Sequence, residues 1–209
     1  MEILRRATEV FERRGVNRTS IEDIAKAVGI KREAVYYYFK SRAEILLKII
    51  LPQSNSLAMN LENVLRSNQP ALDKLKAAIR AHLDSFNPNY LEMTVALRED
   101  HFFEGDDKLK ELRRVWRDYG ELWIRLIREG QQAGEFDAAL DPKVVAYGVL
   151  GMCNWLSRWF DPTKDVTIEQ IIDTYFAMAV RGIAVGPSAV PAAVATVVAT
   201  AGREPEPVG

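Results

Sequence analysis

Basic and tyrosyl side chains are concentrated in residues 31–42, which read KREAVYYYFKSR. Lysine and arginine neutralise backbone phosphates, and a tyrosine can offer its hydroxyl to a phosphate and its ring to a sugar or a thymine methyl group. The same three consecutive tyrosines could also form a buried strand or the aromatic face of a core helix. The predicted secondary structure on either side of residues 31–42 distinguishes an exposed, DNA-contacting helix from a buried strand or a core helix.

A second group of candidates lies in the C-terminal half of the chain. Aromatic residues recur there at helical spacing, which is typical either of plain core or of an apolar cavity for a small molecule. An inward-facing arginine among them would need an anion, either from a ligand or from an internal salt bridge. Methionines elsewhere could line the same cavity or simply fill core. The candidate ligand-binding residues are Met59, Met93, Trp116, Tyr119, Trp123, Met152, Trp155, Arg158 and Trp159.

Catalytic and metal-binding patterns do not stand out in the sequence. His82 and His101 lie nineteen residues apart without the spacing of metal ligands. Cys153 is the single cysteine, so no intramolecular disulfide can form, and we interpret it as a packed small residue rather than a redox sensor. We therefore expect neither an enzyme nor a metal or cofactor site.

Helix signals surround the basic, tyrosine-rich segment. Ser20 with Asp23 and Ser41 with Glu44 have the spacing of helix-capping residues, and Gly29 fits a left-handed helix end. These signals predict a helix, a glycine turn and a second helix over about 32–39, which is the helix-turn-helix arrangement. Apolar residues at positions 35 and 39 share its inner face, which turns these residues outward: Lys31, Arg32, Ala34, Tyr37 and Tyr38, with Tyr36 on the boundary.

Further helices are predicted along the rest of the chain, with no strand, so the expected fold class is all-α. We expect helices over about 70–86, 90–98, 107–132, 141–160 and 167–182, and we expect Pro52 to kink or end the fourth helix. The predicted domains are a helix-turn-helix DNA-binding domain over 1–48, a helical ligand-binding and dimerisation domain over 49–185, and a disordered tail over 186–209.

Charge is distributed unevenly along the 209 residues. Residues 1–50 hold 11 Lys and Arg against 7 Asp and Glu, a net +4, and the remainder carries −5, which gives −1 overall. A basic head favours a polyanion partner, although ordinary scatter of charges would give a similar imbalance. The outward tyrosines beside cations indicate double-stranded DNA most simply, and the alternative for them is a three-helix corner that binds a protein. The charged, amphipathic opening and the lack of a long apolar run predict a cytoplasmic protein without membrane contact.

The first 50 residues closely resemble the tetracycline-repressor (TetR) family of bacterial regulators. The match rests on Phe11 with Gly15, the run from Thr19 to Ala25, Gly29-Ile30, the run from Val35 to Phe39, and Ser41 with Glu44. The resemblance implies an all-α homodimer whose heads bind a near-palindromic operator. Carried over residue by residue, it implies DNA contacts from Thr19, Ser20, Lys31, Arg32, Glu33, Ala34, Tyr36, Tyr37, Tyr38, Lys40 and Arg42.

Two positions depart from the habit of the family. Glu33 replaces a usual glycine and Tyr38 a common histidine. Arg32 could pair with guanine and Glu33 with a cytosine amino group, or the two could pair with each other.

Two segments of the C-terminal half, residues 113–142 and 151–162, resemble TetR regulators that respond to fatty or sterol acyl-CoA thioesters. The resemblance implies a body that binds such an inducer and dimerises through its last two helices, where Gly148, Gly151 and Cys153 would allow close approach. We therefore expect a ligand-responsive repressor. The alternatives are a ligand-binding helical protein that does not regulate DNA, and an enzyme hidden in the C-terminal pocket.

Overall fold

The computed structural model describes residues 2–84 and 109–184, and within these ranges the chain forms eight helices and no named strand. This confirms the all-α prediction. One isolated antiparallel bridge joins Phe136 to Ala184. None of the helices in the described part is long and apolar enough to cross a membrane. The helices are α1 (Glu2–Arg14), α2 (Ile21–Val28), α3 (Arg32–Tyr38), α4 (Arg42–Arg66), α5 (Ala71–Asp84), α6 (Lys110–Gln132), α7 (Pro142–Trp159) and α8 (Ile168–Ile183).

Three predictions fall outside the described residues. These are the helix over 90–98, the placement of Met93 and His101, and the tail over 186–209.

Local signals fix the boundaries of the first helices. Ser20 accepts a hydrogen bond from the Asp23 amide at 3.1 Å, and the Asp23 carboxylate accepts from the Ser20 amide at 2.9 Å, which completes a capping box. Gly29 ends α2 with φ 81°, a conformation that costs glycine little. At the start of α4 the Glu44 carboxylate reaches the Lys40 amide instead of that of Ser41, one residue further back than the predicted box.

A distant carboxylate caps α5. Both oxygens of Glu135 accept from first-turn amides, of Ala71 at 2.9 Å and of Leu72 at 3.0 Å. These amides have no partner within their own helix, and a negative charge is favourable at a helix start. The turn after α6 is thereby tied to α5.

The chain builds two hydrophobic cores. The head core collects apolar side chains of α1 to α3 and the first half of α4, including Phe11, Ile24, Val35 and Phe39. The body core collects the second half of α4 with α5 to α8, and Trp123 is completely buried in it. The start of α6 contacts the head as well, because Leu109 and Leu112 belong to the head core.

The expected effect of Pro52 is partly wrong, because α4 does not end there. The helix continues as one element through the proline to Arg66. Its first half is buried in the head core and its second half, from Leu57 onward, in the body core. Burial on both sides stabilises helical structure across a residue that alone would disfavour it.

Candidate DNA-binding surface and effector cavity

The helix α3 separates an inner face from an exposed aromatic and basic one. Val35 is fully buried and Phe39 is 4% exposed, whereas Tyr37 is 83% exposed and Tyr38 56%. The exposed residues of the segment also include Lys31, Arg32, Glu33 and Lys40, and Ala34 is half-buried. Large aromatic side chains that the fold leaves in water beside cations are free to contact a polyanion.

Contacts within this surface orient its side chains. Arg32 Nη2 donates to the Tyr36 hydroxyl at 3.1 Å, and its guanidinium lies 5.2 Å from the centre of the Tyr36 ring. This contact raises the pKa of Arg32 above its ordinary value, so the group stays cationic. Tyr37 and Tyr38 meet edge to face with ring centres 5.0 Å apart. Tyr36, expected on the boundary, is 42% exposed and belongs to the outer face.

The start of α2 offers backbone amides rather than the Thr19 side chain. Thr19 is only 1% exposed, and its hydroxyl donates to the Gly15 carbonyl at 2.8 Å. Its burial and its internal hydrogen bond therefore leave Thr19 out of the candidate surface. Ser20 is exposed, but its hydroxyl is engaged with Asp23. The next amides, of Ile21 and Glu22, have no acceptor within the helix and point outward from its start.

Arg42 braces the head from the first turn of α4. Its Nη1 donates to the carbonyl oxygens of Asn17 at 2.9 Å and Thr19 at 3.0 Å. This side chain thus holds the turn before α2 against α4. Arg18 is exposed in the same turn, and the sequence analysis did not select it. The available signal was its position two residues before the helix-capping serine.

A cavity of about 250 Å³ lies between α6 and α7 in the body. Its walls are mainly aromatic and apolar, the polar groups being the carboxamide of Asn154 and the hydroxyls of Tyr119 and Tyr147, and none of its lining side chains is charged. Such a composition is typical of a small-molecule site with a few polar groups that orient the ligand. The lining residues are Trp116, Tyr119, Gly120, Tyr147, Leu150, Gly151 and Asn154.

A buried polar chain backs this cavity. His82 of α5 is fully buried; its Nδ1 lies 2.9 Å from the Tyr119 hydroxyl, and its Nε2 lies 3.0 Å from Asn154 Oδ1. Burial lowers the pKa of His82 from 6.5 to about 4, because the charged imidazolium loses its hydration. Burial also raises the pKa of Tyr119 well above its ordinary value. Both groups are therefore neutral near pH 7.

The predicted ligand-binding residues divide into three groups. Trp116 and Tyr119 line the cavity, while Trp123 is fully buried in the core beside it. Met152 is half-buried against the body core, and Met59 is 60% exposed on α4. Three residues of α7 are exposed and do not line the cavity: Trp155, Arg158 and Trp159.

Arg158 therefore has neither of the two environments considered for it. It is exposed rather than inward-facing, and no salt bridge engages it within the described part of the chain. Cys153 packs in the body core instead of on the outer face, and burial raises the pKa of its thiol to about 12.

An apolar stripe covers the outer face of α7 and extends to α8. Trp155 is 63% exposed and Trp159 45%, one turn apart on α7. Gly148 and Gly151 lie on the same helix, and a Cβ atom added to either would meet nothing within 4 Å. Further large exposed apolar residues are Val144 and Tyr147 on α7, Val166 just before α8, and Met178 on α8. Exposed apolar area of this kind commonly marks a protein interface.

His82 and Asn154 are candidate site residues that the sequence analysis missed. His82 was considered only as a metal ligand, and Asn154 was not considered. A signal existed, because His82 interrupts the apolar stripe of α5 between Ile79 and Leu83. A polar residue on a buried face requires polar partners.

Two family profiles match the chain. Residues 3–49 match the profile described as bacterial regulatory proteins, tetR family, and residues 68–183 match the tetracyclin repressor-like C-terminal domain. Together they cover both the head and the body. The matched families and relatives are transcriptional regulators rather than enzymes.

Relatives align over most of their length. The chain is 24% identical over 183 residues to the HTH-type transcriptional repressor KstR2 of Mycolicibacterium smegmatis, covering 87% of this chain and 89% of that one. It superposes with a TM-score of 0.82 and 20% identity on the ketosteroid transcriptional regulator KstR2 of Mycobacterium tuberculosis, covering 88% and 94%. AibR in complex with isovaleryl coenzyme A and operator DNA gives a TM-score of 0.74 at 22% identity, covering 84% and 95%.

Proposed function

Because the chain belongs to the tetracycline-repressor (TetR) family of DNA-binding transcriptional regulators, we propose that it is a repressor which a small-molecule inducer releases from its operator. The observation that carries the proposal is the outer face of α3. Tyr37 and Tyr38 stand in water beside Lys31, Arg32 and Lys40, on a short helix whose other face is core. This helix would enter the major groove.

The two hydrophobic cores correspond to two proposed functions, DNA binding in the head and binding of the inducer and the second subunit in the body. We propose that residues 1–48 bind DNA and that residues 49–185 bind the inducer and the second subunit. The exposed cations and tyrosines of α3, the amides at the start of α2 and Arg18 supply the DNA contacts. Arg42 has a structural role: its guanidinium donates to the carbonyl oxygens of Asn17 and Thr19 and so fixes the turn before α2 against α4.

The second subunit would cover the apolar stripe of α7 and α8. Two large indole rings on one helix face, beside two glycines with open space above them, fit a helix from another copy of the chain. Dimerisation would place two heads about one helical turn of DNA apart, roughly 34 Å, and the two-fold symmetry of the dimer predicts a near-palindromic operator.

We further propose that the inducer is an acyl-CoA thioester whose acyl group occupies the cavity between α6 and α7. Two features support this choice. The cavity walls are apolar and uncharged, and the structural relative AibR has been solved with isovaleryl coenzyme A. The exposed Arg158 lies one helical turn beyond Asn154 on α7 and is available for a phosphate of the coenzyme.

Trp116 provides a physical connection between the cavity and the head. Its side chain lines the cavity and also packs against both hydrophobic cores. A ligand that prefers one position of Trp116 therefore has a different affinity for different head arrangements. That difference is the coupling free energy by which binding can release DNA.

The test is selection of genomic fragments at low salt by the full-length chain. We expect enrichment of a near-palindromic sequence, and loss of that enrichment when isovaleryl-CoA or a longer acyl-CoA is added. A folded variant with Lys31→Glu and Tyr37→Ala serves as the control for non-specific retention. Retention of no fragment above this control would favour the ligand-binding protein that does not regulate DNA, and enrichment unaffected by any acyl-CoA would refute the inducer class.

A further inference from the structure

The hydrogen bonds of the buried chain fix which atoms carry protons. His82 is neutral, so it has one N–H and one lone pair. Its Nε2 faces the carboxamide oxygen of Asn154, which can only accept, so the proton is on Nε2. The lone pair on Nδ1 then accepts from the Tyr119 hydroxyl. This arrangement is self-consistent, with a donor and an acceptor at each contact.

The consequence for Asn154 is a defined orientation. Because its oxygen is turned into the core toward His82, the group that it presents to the cavity is its NH₂. Within the described residues this amide nitrogen has no hydrogen-bond partner, and it is not among the fully buried unpaired polar atoms. A half-buried donor in a mainly apolar wall favours a ligand with an acceptor at that place.

The charge of that acceptor is constrained as well. None of the seven residues around the cavity is cationic, so a carboxylate would be partly desolvated without a counter-charge. A neutral carbonyl oxygen, as in a ketone, an ester or a thioester, loses much less on entering. We propose that the cavity between α6 and α7 selects ligands with a neutral carbonyl, that Asn154 Nδ2 donates to this oxygen, and that His82 is the positioning residue which keeps Asn154 turned toward it.

This inference rests on the proposed effector site and narrows its ligand class. It accounts for a thioester rather than the free acid of the same acyl chain. It also gives a functional reason for the burial of His82, which has no exposed atom and joins α5 to Tyr119 of α6 and Asn154 of α7.

The experiment compares three small probes of similar size on the full chain by ligand-observed NMR. Acetophenone carries a neutral carbonyl, ethylbenzene replaces it with a methylene group, and benzoate replaces the acetyl group with a carboxylate. We expect wild-type protein to bind acetophenone and to bind benzoate at least tenfold more weakly. In Asn154→Leu the affinity ratio of acetophenone to ethylbenzene should fall about fivefold, the worth of one hydrogen bond between neutral groups.

Further variants separate a specific role from general damage. Asn154→Asp keeps an acceptor for His82 but has no N–H for the ligand, so it should lose the same selectivity if the leucine variant does not fold. His82→Leu should lower the ratio although Asn154 is intact, and His82→Gln, which offers an N–H and an oxygen at similar separation, should restore it. Tyr147→Phe removes the other exposed polar group of the rim and tests the competing hydrogen-bond donor. Lys164→Ala, at an exposed position that does not line the cavity, is the control and should leave the ratio unchanged.

Several results would overturn the proposal. These are failure of acetophenone to bind the wild type, preference for benzoate, an unchanged ratio in the folded Asn154 variants, or a loss that follows Tyr147 instead. Operator retention is measured separately on the same samples. If the probes behave as expected but no acyl-CoA changes DNA retention, the inducer part of the proposed function fails while the cavity selectivity stands.

Discussion

Arg32 donates from Nη2 to the hydroxyl of Tyr36, one turn further along α3, at 3.1 Å. The sequence had left open whether Arg32 pairs with its neighbour Glu33, and the geometry gives it a tyrosine partner on the exposed face. The bond holds the guanidinium along the helix surface. Glu33 is exposed and points into solvent, where it can approach DNA by itself.

Base discrimination should therefore depend on Tyr36 as well as on Arg32. We expect Arg32→Ala to cost about 1–3 kcal/mol of operator binding and to relax specificity at one base pair. Tyr36→Phe should relax the same base pair more weakly, because it removes only the orienting hydroxyl. Competition binding with single-base operator variants measures both effects. Relaxation at two different base pairs would contradict a shared role, and Glu33→Gln provides a charge-removing control at the adjacent position.

The exposed tyrosine edge should contribute affinity without sequence preference. Tyr37→Phe should weaken binding to operator and to unrelated DNA about equally, by roughly 1 kcal/mol, since a phosphate contact carries no sequence information. Lys40→Ala should also reduce the slope of log K against log salt by about 1. Fluorescence anisotropy at several salt concentrations measures both. Lys164→Ala, which removes an exposed cation between α7 and α8, is the matched control and should change neither quantity.

The apolar stripe of α7 should control subunit association. Replacing both Trp155 and Trp159 with alanine should convert the dimer to a folded monomer, because two exposed indoles lose their contact area. Sedimentation equilibrium at micromolar concentration measures the change. Met59→Ala removes an apolar side chain of similar exposure on α4 and should leave the mass unchanged. A dimer that survives the double substitution would place the interface elsewhere.

Stability should fall on acidification because of His82. The unfolded chain takes up this proton near pH 6.5, but the folded chain takes it up only near its pKa of about 4. Between these values the unfolded state binds more protons, so the contribution of His82 is complete above pH 6.5 and is lost toward pH 4. From pH 7 to pH 5 the loss is about 2 kcal/mol.

Urea unfolding at a series of pH values measures this slope. His82→Gln has no proton to bind and should be flatter than the wild type by that amount over the same range. Equal slopes in the two proteins would contradict a neutral buried imidazole. The surface carboxylates contribute to both proteins alike and cancel in the comparison.

Gly130 should tolerate no side chain. A Cβ atom there would lie about 2.2 Å from the ring of Phe136, which is almost fully buried and cannot move aside. We expect Gly130→Ala to destabilise the body by at least 1–3 kcal/mol through overpacking. Gly182→Ala, at an open helical position, should be neutral or stabilise by up to about 1 kcal/mol. Thermal unfolding distinguishes them, and similar melting temperatures would contradict the packing argument.

Local chemistry made much of the head predictable. The hydroxyl and carboxylate of Ser20 and Asp23, the glycine at position 29 and the apolar pair Val35 and Phe39 determine helix ends and faces over a few residues. The inward turn of Thr19 was not predictable, because its burial and the contact of its carbonyl with Arg42 of α4 depend on tertiary packing around the turn.

The body was less predictable for the same reason. Helical spacing groups Trp116 with Trp123 and Trp155 with Trp159, but it does not say which face meets another helix. The structure buries Trp123 and exposes Trp155 and Trp159. His82 contacts Tyr119, which is 37 positions later in the sequence, and Asn154, which is 72 positions later. Only tertiary packing brings these three residues together.

Pro52 makes the middle of α4 easier to bend than the rest of the helix. It has no N–H to donate to the carbonyl of Lys48, and it stands between the half of α4 anchored in the head and the half anchored in the body. A helix held at both ends bends most easily where a backbone hydrogen bond is missing. We therefore expect α4 to bend most easily at Pro52, and a small change of angle at this residue would alter the distance between the two heads of a dimer.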